Sequence, residues 1–141
     1  MSVDKKQQEI IDEFALFDDW MDKYNYLIEL SKDLPEMDQK NKTEENLIEG
    51  CQSKVWLHAE MDGDKLIFSA DSDAIITKGL VALLIRVLSG RKPEEIKNAN
   101  LYFIDEIGLK ENLSPTRSNG LLAMINKIKA YAMAYELKQN Q

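Results

Sequence analysis

The dipeptide Asp62-Gly63, set between two runs of alternating residues, constrains this chain more than any other feature. Aspartate and glycine both tolerate the positive φ of a two-residue type I′ turn, so the segment predicts a β-hairpin. Pairing outward from that turn sets Met61 against Asp64, Glu60 against Lys65, Ala59 against Leu66, Leu57 against Phe68 and Val55 against Ala70. One face then carries Val55, Leu57, Ala59, Leu66, Phe68 and Ala70, all apolar. The other carries Lys54, Trp56, His58, Glu60, Lys65, Ile67 and Ser69, with Glu60 and Lys65 as an opposed charge pair. A slip of one residue would scatter the apolar set over both faces. The expected strands are 54–61 and 64–71.

Helical periodicity surrounds the hairpin. Ile10, Ile11, Phe14 and Phe17 mark a first short helix. Asp18 or Asp19 is placed to cap a second, whose stripe is Trp20, Tyr24, Leu27 and Ser31, with Ile28 and Leu30 beside it and Pro35 ending it. The polar stretch from Glu36 to Glu45 reads as a loop. Ser72 or Asp73 caps a third helix that runs to about Ser89 and stops at Gly90. Its apolar positions, Ile75, Ile76, Leu80, Val81, Leu83, Leu84, Val87 and Leu88, leave little wet surface beyond Lys78 and Arg86, so it is expected to be the buried one. Pro93 opens a short helix, 99–113 forms a partly apolar connection, and Ser114-Pro115 starts a long final helix. The stripe of that helix is Leu121, Met124, Ile125, Ile128, Ala132 and Tyr135. The pattern predicts one α+β domain over 1–141, a small antiparallel sheet with helices packed on its apolar face.

Composition excludes several functions. The formal net charge is −7, from 25 acidic against 18 basic residues, which repels a phosphate backbone and argues against nucleic acid. Arg117, Lys127, Lys129 and Lys138 gather near the last helix, but they do not make up the basic stripe that a nucleic-acid site requires. The longest apolar run, Leu80–Ile85, falls far short of the ~20 residues that span a bilayer, and the N-terminus lacks an apolar signal region. No membrane association and a cytoplasmic location are expected. One histidine and one cysteine leave no metal-ligand set at helical spacing, and the scattered glycines form no phosphate loop.

The lone cysteine, Cys51, lies in Gly50-Cys51-Gln52-Ser53, directly before the first strand. With no second thiol it cannot close an intrachain disulfide, so its chemistry must involve another molecule. A free cysteine is most often a small buried hydrophobe. Gly50, Gln52 and Ser53 are poor neighbours for a core position and good material for a tight loop, whose N–H groups would lower the thiol pKa. His58 falls at mid-strand on the polar face, and seven extended residues span roughly 23 Å, too far for a Cys–His catalytic pair. Arg117, in the first turn of the last helix, is mismatched with the positive end of the helix dipole. It is either paired with an acidic residue or used to recognise an anion or a partner.

These segments together resemble the SufE family of sulfur-acceptor proteins of iron–sulfur cluster assembly. The matching stretches are Trp20–Tyr24 with Leu27–Leu30, Gly50–Leu57, Asp71–Leu80, Ser89–Ile96, and Leu113–Leu121 with Met124. One departure is Asn112, where members of the family often carry histidine. The resemblance implies a SufE/IscU-like fold and a persulfide relay. In that relay a pyridoxal-phosphate cysteine desulfurase (SufS-like) passes sulfur to Cys51, which delivers it to an iron–sulfur scaffold complex (SufBCD-like). It implies that the pyridoxal cofactor belongs to the desulfurase, that this chain holds none of its own, and that it stimulates the desulfurase as a carrier and not as a stand-alone enzyme. Gly50, Gln52, Ser53, Asp73 and Arg117 are implied as supporting or partner-binding residues around Cys51, and room is left for a homodimer. An apolar resting pocket is expected beneath the Cys51 loop, between the hairpin and the neighbouring helices. Two other functions use the same residues. One is a single-cysteine thiol peroxidase or redox sensor, and the other an interaction module in which Cys51 only packs.

Overall fold

The third helical segment, with apolar residues on most of its circumference, is the axis on which the rest assembles. In the computed structural model, which describes residues 2–140, it is α3 (Ile75–Leu88), following α1 (Val3–Phe14), α2 (Trp20–Ser31), β1 (Val55–Asp62) and β2 (Lys65–Ser72). After it come α4 (Pro93–Asn98), α5 (Phe103–Glu106), α6 (Leu109–Asn112) and α7 (Pro115–Gln139). The architecture is α+β, with a two-stranded antiparallel sheet whose apolar face is covered by helices. Nine of the fourteen residues of α3 are buried, from Ile76 to Leu88, as its composition requires. α1, α2, β2 and α7 all pack against it.

Both faces of the hairpin are as expected, but the pairing is displaced. Asp62 opposes Lys65, Glu60 opposes Ile67, Ala59 opposes Phe68, Leu57 opposes Ala70 and Val55 opposes Ser72. The turn is therefore Gly63-Asp64, and the expected Glu60–Lys65 pair does not form. The cause is backbone sterics. Gly63 has φ 64° and, among the described residues, no non-glycine residue has positive φ. The turn thus has glycine first, as type II′ demands, and Asp64 escapes the second positive φ of type I′. The displacement preserves side-chain parity, which is why Val55, Leu57, Ala59, Leu66, Phe68 and Ala70 all remain buried.

A two-stranded sheet exposes two edges, and both are covered. Leu47 bridges to Trp56 beside β1, and the Tyr131 and Tyr135 hydroxyls donate to the Leu57 and Ala59 carbonyls at 3.5 and 3.2 Å. Beside β2, the Leu66 N–H donates to Arg91 O at 2.8 Å, and the Phe68 N–H to Ser89 Oγ at 2.9 Å. Covered edges deny a template to other chains.

Asp19 caps α2 by accepting from the Asp22 N–H at 2.9 Å, but α2 ends at Ser31, ahead of Pro35. The loop expected over 36–45 contains two 3₁₀ turns, Gln39–Asn41 and Glu44–Asn46. Neither Ser72 nor Asp73 caps α3: Ala74 occupies the cap position, and no side chain bonds the helix from there. Buried Gln7 clips α1 to the α4–α5 connection, donating to Asn100 O and accepting from the Phe103 N–H, each at 3.1 Å. No helix among the described residues is long and apolar enough to cross a membrane.

Candidate functional site around Cys51

The loop over 49–54 is a short excursion between two pinned feet. At its entry the Ile48 N–H donates to Val55 O at 2.9 Å, closing the loop at its base. At its exit Lys54 is held from three directions. Its N–H donates to Asp73 Oδ1 at 3.0 Å, while its carbonyl accepts from Ser72 Oγ at 2.8 Å and from the Asp73 N–H at 3.2 Å. The two residues expected to cap α3 are thus used to fasten the cysteine loop. That contact places Asp73 in the site as an anchor of backbone geometry.

Between the feet, Gly50 adopts φ 93°, a conformation that favours glycine, and a Cβ there would press on Ala123 Cβ of α7 at 3.3 Å. The chain turns inward at this point. Cys51 is half-buried against the core, its Sγ 3.6 Å from the Gly120 carbonyl oxygen on α7. Gln52 is exposed and Ser53 half-buried on the outer wall.

The sulfur borders a cavity of about 100 Å³. Thr77 and Leu80 of α3 form one wall, and Thr116, Arg117, Gly120 and Met124 of α7 form the other. The cavity lies between two helices and no hairpin residue lines it, which corrects the expected placement against the sheet. Its lining is mixed and not apolar: Thr77, Thr116 and Arg117 share the walls with Leu80 and Met124. The thiol also departs from expectation. Burial pushes the Cys51 thiol pKa up, not down. The sulfur faces a carbonyl acceptor, which favours the protonated thiol, in place of the loop N–H donors that would favour the thiolate.

Arg117 is exposed at the start of α7, where its N–H is bonded by the capping Ser114 Oγ at 3.3 Å. It pairs with no carboxylate among the described residues; instead Nη1 donates to the Tyr24 hydroxyl at 3.0 Å. Of the two alternatives left by the sequence, the pairing with an acidic residue is not formed among the described residues. His58 lies near Glu60, 3.7 Å from Nε2 to Oε2, and does not line the cavity. Asn112 donates to Gly108 O at 2.8 Å, closing its own turn.

The structure therefore brings Cys51, Gln52, Ser53 and Arg117 to one cavity, and assigns Gly50 and Asp73 to shaping the loop. Sequence reasoning missed Thr77, Thr116 and the special place of Gly120. The last carried a signal, since a glycine inside a helix is unfavourable by about 1 kcal/mol and marks a close approach.

A family model described as "SufE: Fe-S metabolism associated domain" matches residues 8–132. An uncharacterized SufE-like protein of Rhizobium meliloti (strain 1021) is 46% identical over 129 residues, covering 88% of this chain and 92% of that protein. A SufE-like protein of Rhizobium etli is 45% identical over 129 residues, covering 88% of this chain and 87% of its own. The SufE-like protein 1, chloroplastic/mitochondrial, of Arabidopsis thaliana is 41% identical over 134 residues, 94% of this chain but 36% of that longer protein. In fold, the chain is similar to the solution structure of a hypothetical protein from Thermus thermophilus. The TM-score is 0.75 at 23% identity, covering 92% of this chain and 94% of the other.

Proposed function

The chain belongs to the SufE family of iron–sulfur metabolism, and from that premise we propose that Cys51 accepts persulfide sulfur from a cysteine desulfurase and delivers it to an iron–sulfur scaffold. The observation that carries the reading is a lone thiol, half-buried on a loop pinned at both ends, beside a cavity of about 100 Å³. A water molecule takes about 30 Å³ of liquid, so the space suffices for one further sulfur atom.

The transfer balances without an oxidant. Cys51–SH and a desulfurase persulfide, R–S–SH, become Cys51–S–SH and R–SH. A bond forms between Cys51 Sγ and the outer sulfur, and the desulfurase S–S bond breaks. The Cys51 proton passes to the departing thiolate directly or through solvent. Pyridoxal phosphate belongs to the desulfurase and generates its persulfide. This chain has no other cysteine, so the loaded sulfur cannot be expelled by an internal thiol.

The raised thiol pKa fits a carrier better than a peroxidase. A thiol that attacks peroxide unaided needs a depressed pKa, whereas a carrier gains by resting unreactive until its partner docks. Cys51→Ser removes the nucleophile with little change of volume, at a position where packing cost is small. It is expected to keep the fold and the melting temperature while losing all stimulation of desulfurase turnover. Stimulation by Cys51→Ser equal to that of the wild-type chain would contradict the proposal.

A further inference from the structure

The cavity beside Cys51 has one ionisable group in its lining apart from the thiol, and that group is Arg117. Glu49 and Lys54 flank the loop outside the lining, and Asp73 is engaged with the Lys54 backbone. An exposed arginine ordinarily samples many rotamers, which would blur its charge over several ångströms. Here a second helix restrains it. The Tyr24 hydroxyl accepts from Arg117 Nη1 at 3.0 Å, and the guanidinium carbon stands 5.7 Å from the Tyr24 ring centroid. The ring and the hydroxyl thus fix both the place and the tilt of the guanidinium.

The helix that carries Tyr24 is itself held by a backbone contact. A Cβ at Gly79 of α3 would lie 2.4 Å from the Leu27 carbonyl oxygen of α2, so only glycine lets the two helices approach this closely. Leu27 is buried one turn beyond Tyr24. The register of α2 on α3 therefore sets where the tyrosine stands over α7.

We infer that Tyr24 is a positioning residue, which holds the Arg117 guanidinium at the wall of the Cys51 cavity so that its charge stabilises the sulfur anion. That anion is the attacking thiolate and, on the carrier reading above, the persulfide formed from it. Tyr24 touches no sulfur and acts through Arg117. The effect on Cys51 is therefore present only while Arg117 is present.

The test measures the rate at which neutral iodoacetamide alkylates Cys51 as a function of pH, in the isolated full chain. Tyr24→Leu and Arg117→Gln are each expected to raise the pH midpoint by about half a unit, as loss of a fixed charge across a partly solvated cavity dictates. The double variant is expected to move no further than Arg117→Gln alone, because the two residues act as one unit. Tyr24→Phe keeps the ring, loses the acceptor, and is expected to carry part of the same shift; it replaces Tyr24→Leu if that variant does not fold. An unchanged midpoint in the Tyr24 variants overturns the inference, as does a Tyr24 shift that persists in full beside Arg117→Gln. No desulfurase enters this assay. A chain that shows the coupling but takes no sulfur from a desulfurase refutes the carrier reading and leaves the positioning role intact.

Discussion

Gly120 occupies the interior of α7, where alanine would stabilise the helix, and the reason lies across the cavity. A Cβ at this position would stand 3.7 Å from Cys51 Sγ, an ordinary contact for the resting thiol but, on the proposed carrier role, an obstruction for a second sulfur attached to it. Gly120→Ala is thus expected to raise stability by about 0.5–1 kcal/mol while shortening the lifetime of the persulfide several-fold. Thermal melts together with the decay of the loaded mass check both halves; a variant that is more stable and holds sulfur normally contradicts this use of the cavity. At this scale the sequence was only partly legible. Cys51 and Arg117 stood out because their neighbours or their helix position were wrong for a purely structural role. Their meeting could not be read, since it depends on how the loop over 49–54 is seated against α7, where Cys51 Sγ lies 3.6 Å from the Gly120 carbonyl oxygen.

Among the elements, the hairpin shows where sequence logic ends. Period-two alternation determined both faces correctly, because burial acts on each residue separately. The pairing did not follow, because Asp62-Gly63 and Gly63-Asp64 are both good turns by residue type and only the sign of φ at the aspartate separates them. Ser72 and Asp73 are good capping residues by type, yet both are spent on the Lys54 backbone, a contact between segments that no local pattern records. A related contact binds the segment before the loop to the hairpin. Lys42 Nζ reaches Asp71 Oδ2 at 2.6 Å and lies 5.8 Å from the Trp56 ring centroid, while Lys78 approaches the other Asp71 oxygen at 3.3 Å. Burial pushes the Asp71 carboxyl pKa up, but Lys42, the Ser72 N–H and Lys78 outweigh it and hold the pKa below its usual value. A depressed carboxylate contributes stability that is complete at neutral pH and is lost as pH falls through the folded-state value. Lys42→Ala is therefore expected to cost about 1–2 kcal/mol at pH 7, with the difference from wild type beginning to shrink below about pH 4 and gone once pH is under the lowered folded-state value of Asp71. Urea titrations at several pH values decide this, and a deficit that persists undiminished in acid would assign the effect to packing on Trp56.

For the whole molecule, the proposed carrier role requires the same thiol to be sheltered at rest and reachable in a complex. The feet of the loop are fastened, at Ile48–Val55 and at Lys54–Asp73, and between them Gly50 supplies the backbone freedom for movement. Residues 49–53 are expected to swing outward when a desulfurase docks, breaking the Sγ contact with Gly120. Alkylation by a bulky maleimide is expected to be slow in the free chain. Hydrogen exchange over 49–53 is expected to rise when a desulfurase lacking its own reactive thiol is added. Rapid labelling of the free chain with unchanged exchange in the complex would mean that no gate exists. The central claim, that Cys51 carries sulfur, is tested most directly by intact mass after incubation with a cysteine desulfurase, pyridoxal phosphate and cysteine. A carrier gains one sulfur atom, which is lost on treatment with a thiol reductant and absent in Cys51→Ser. A mass that stays unchanged while the desulfurase turns over would contradict the claim.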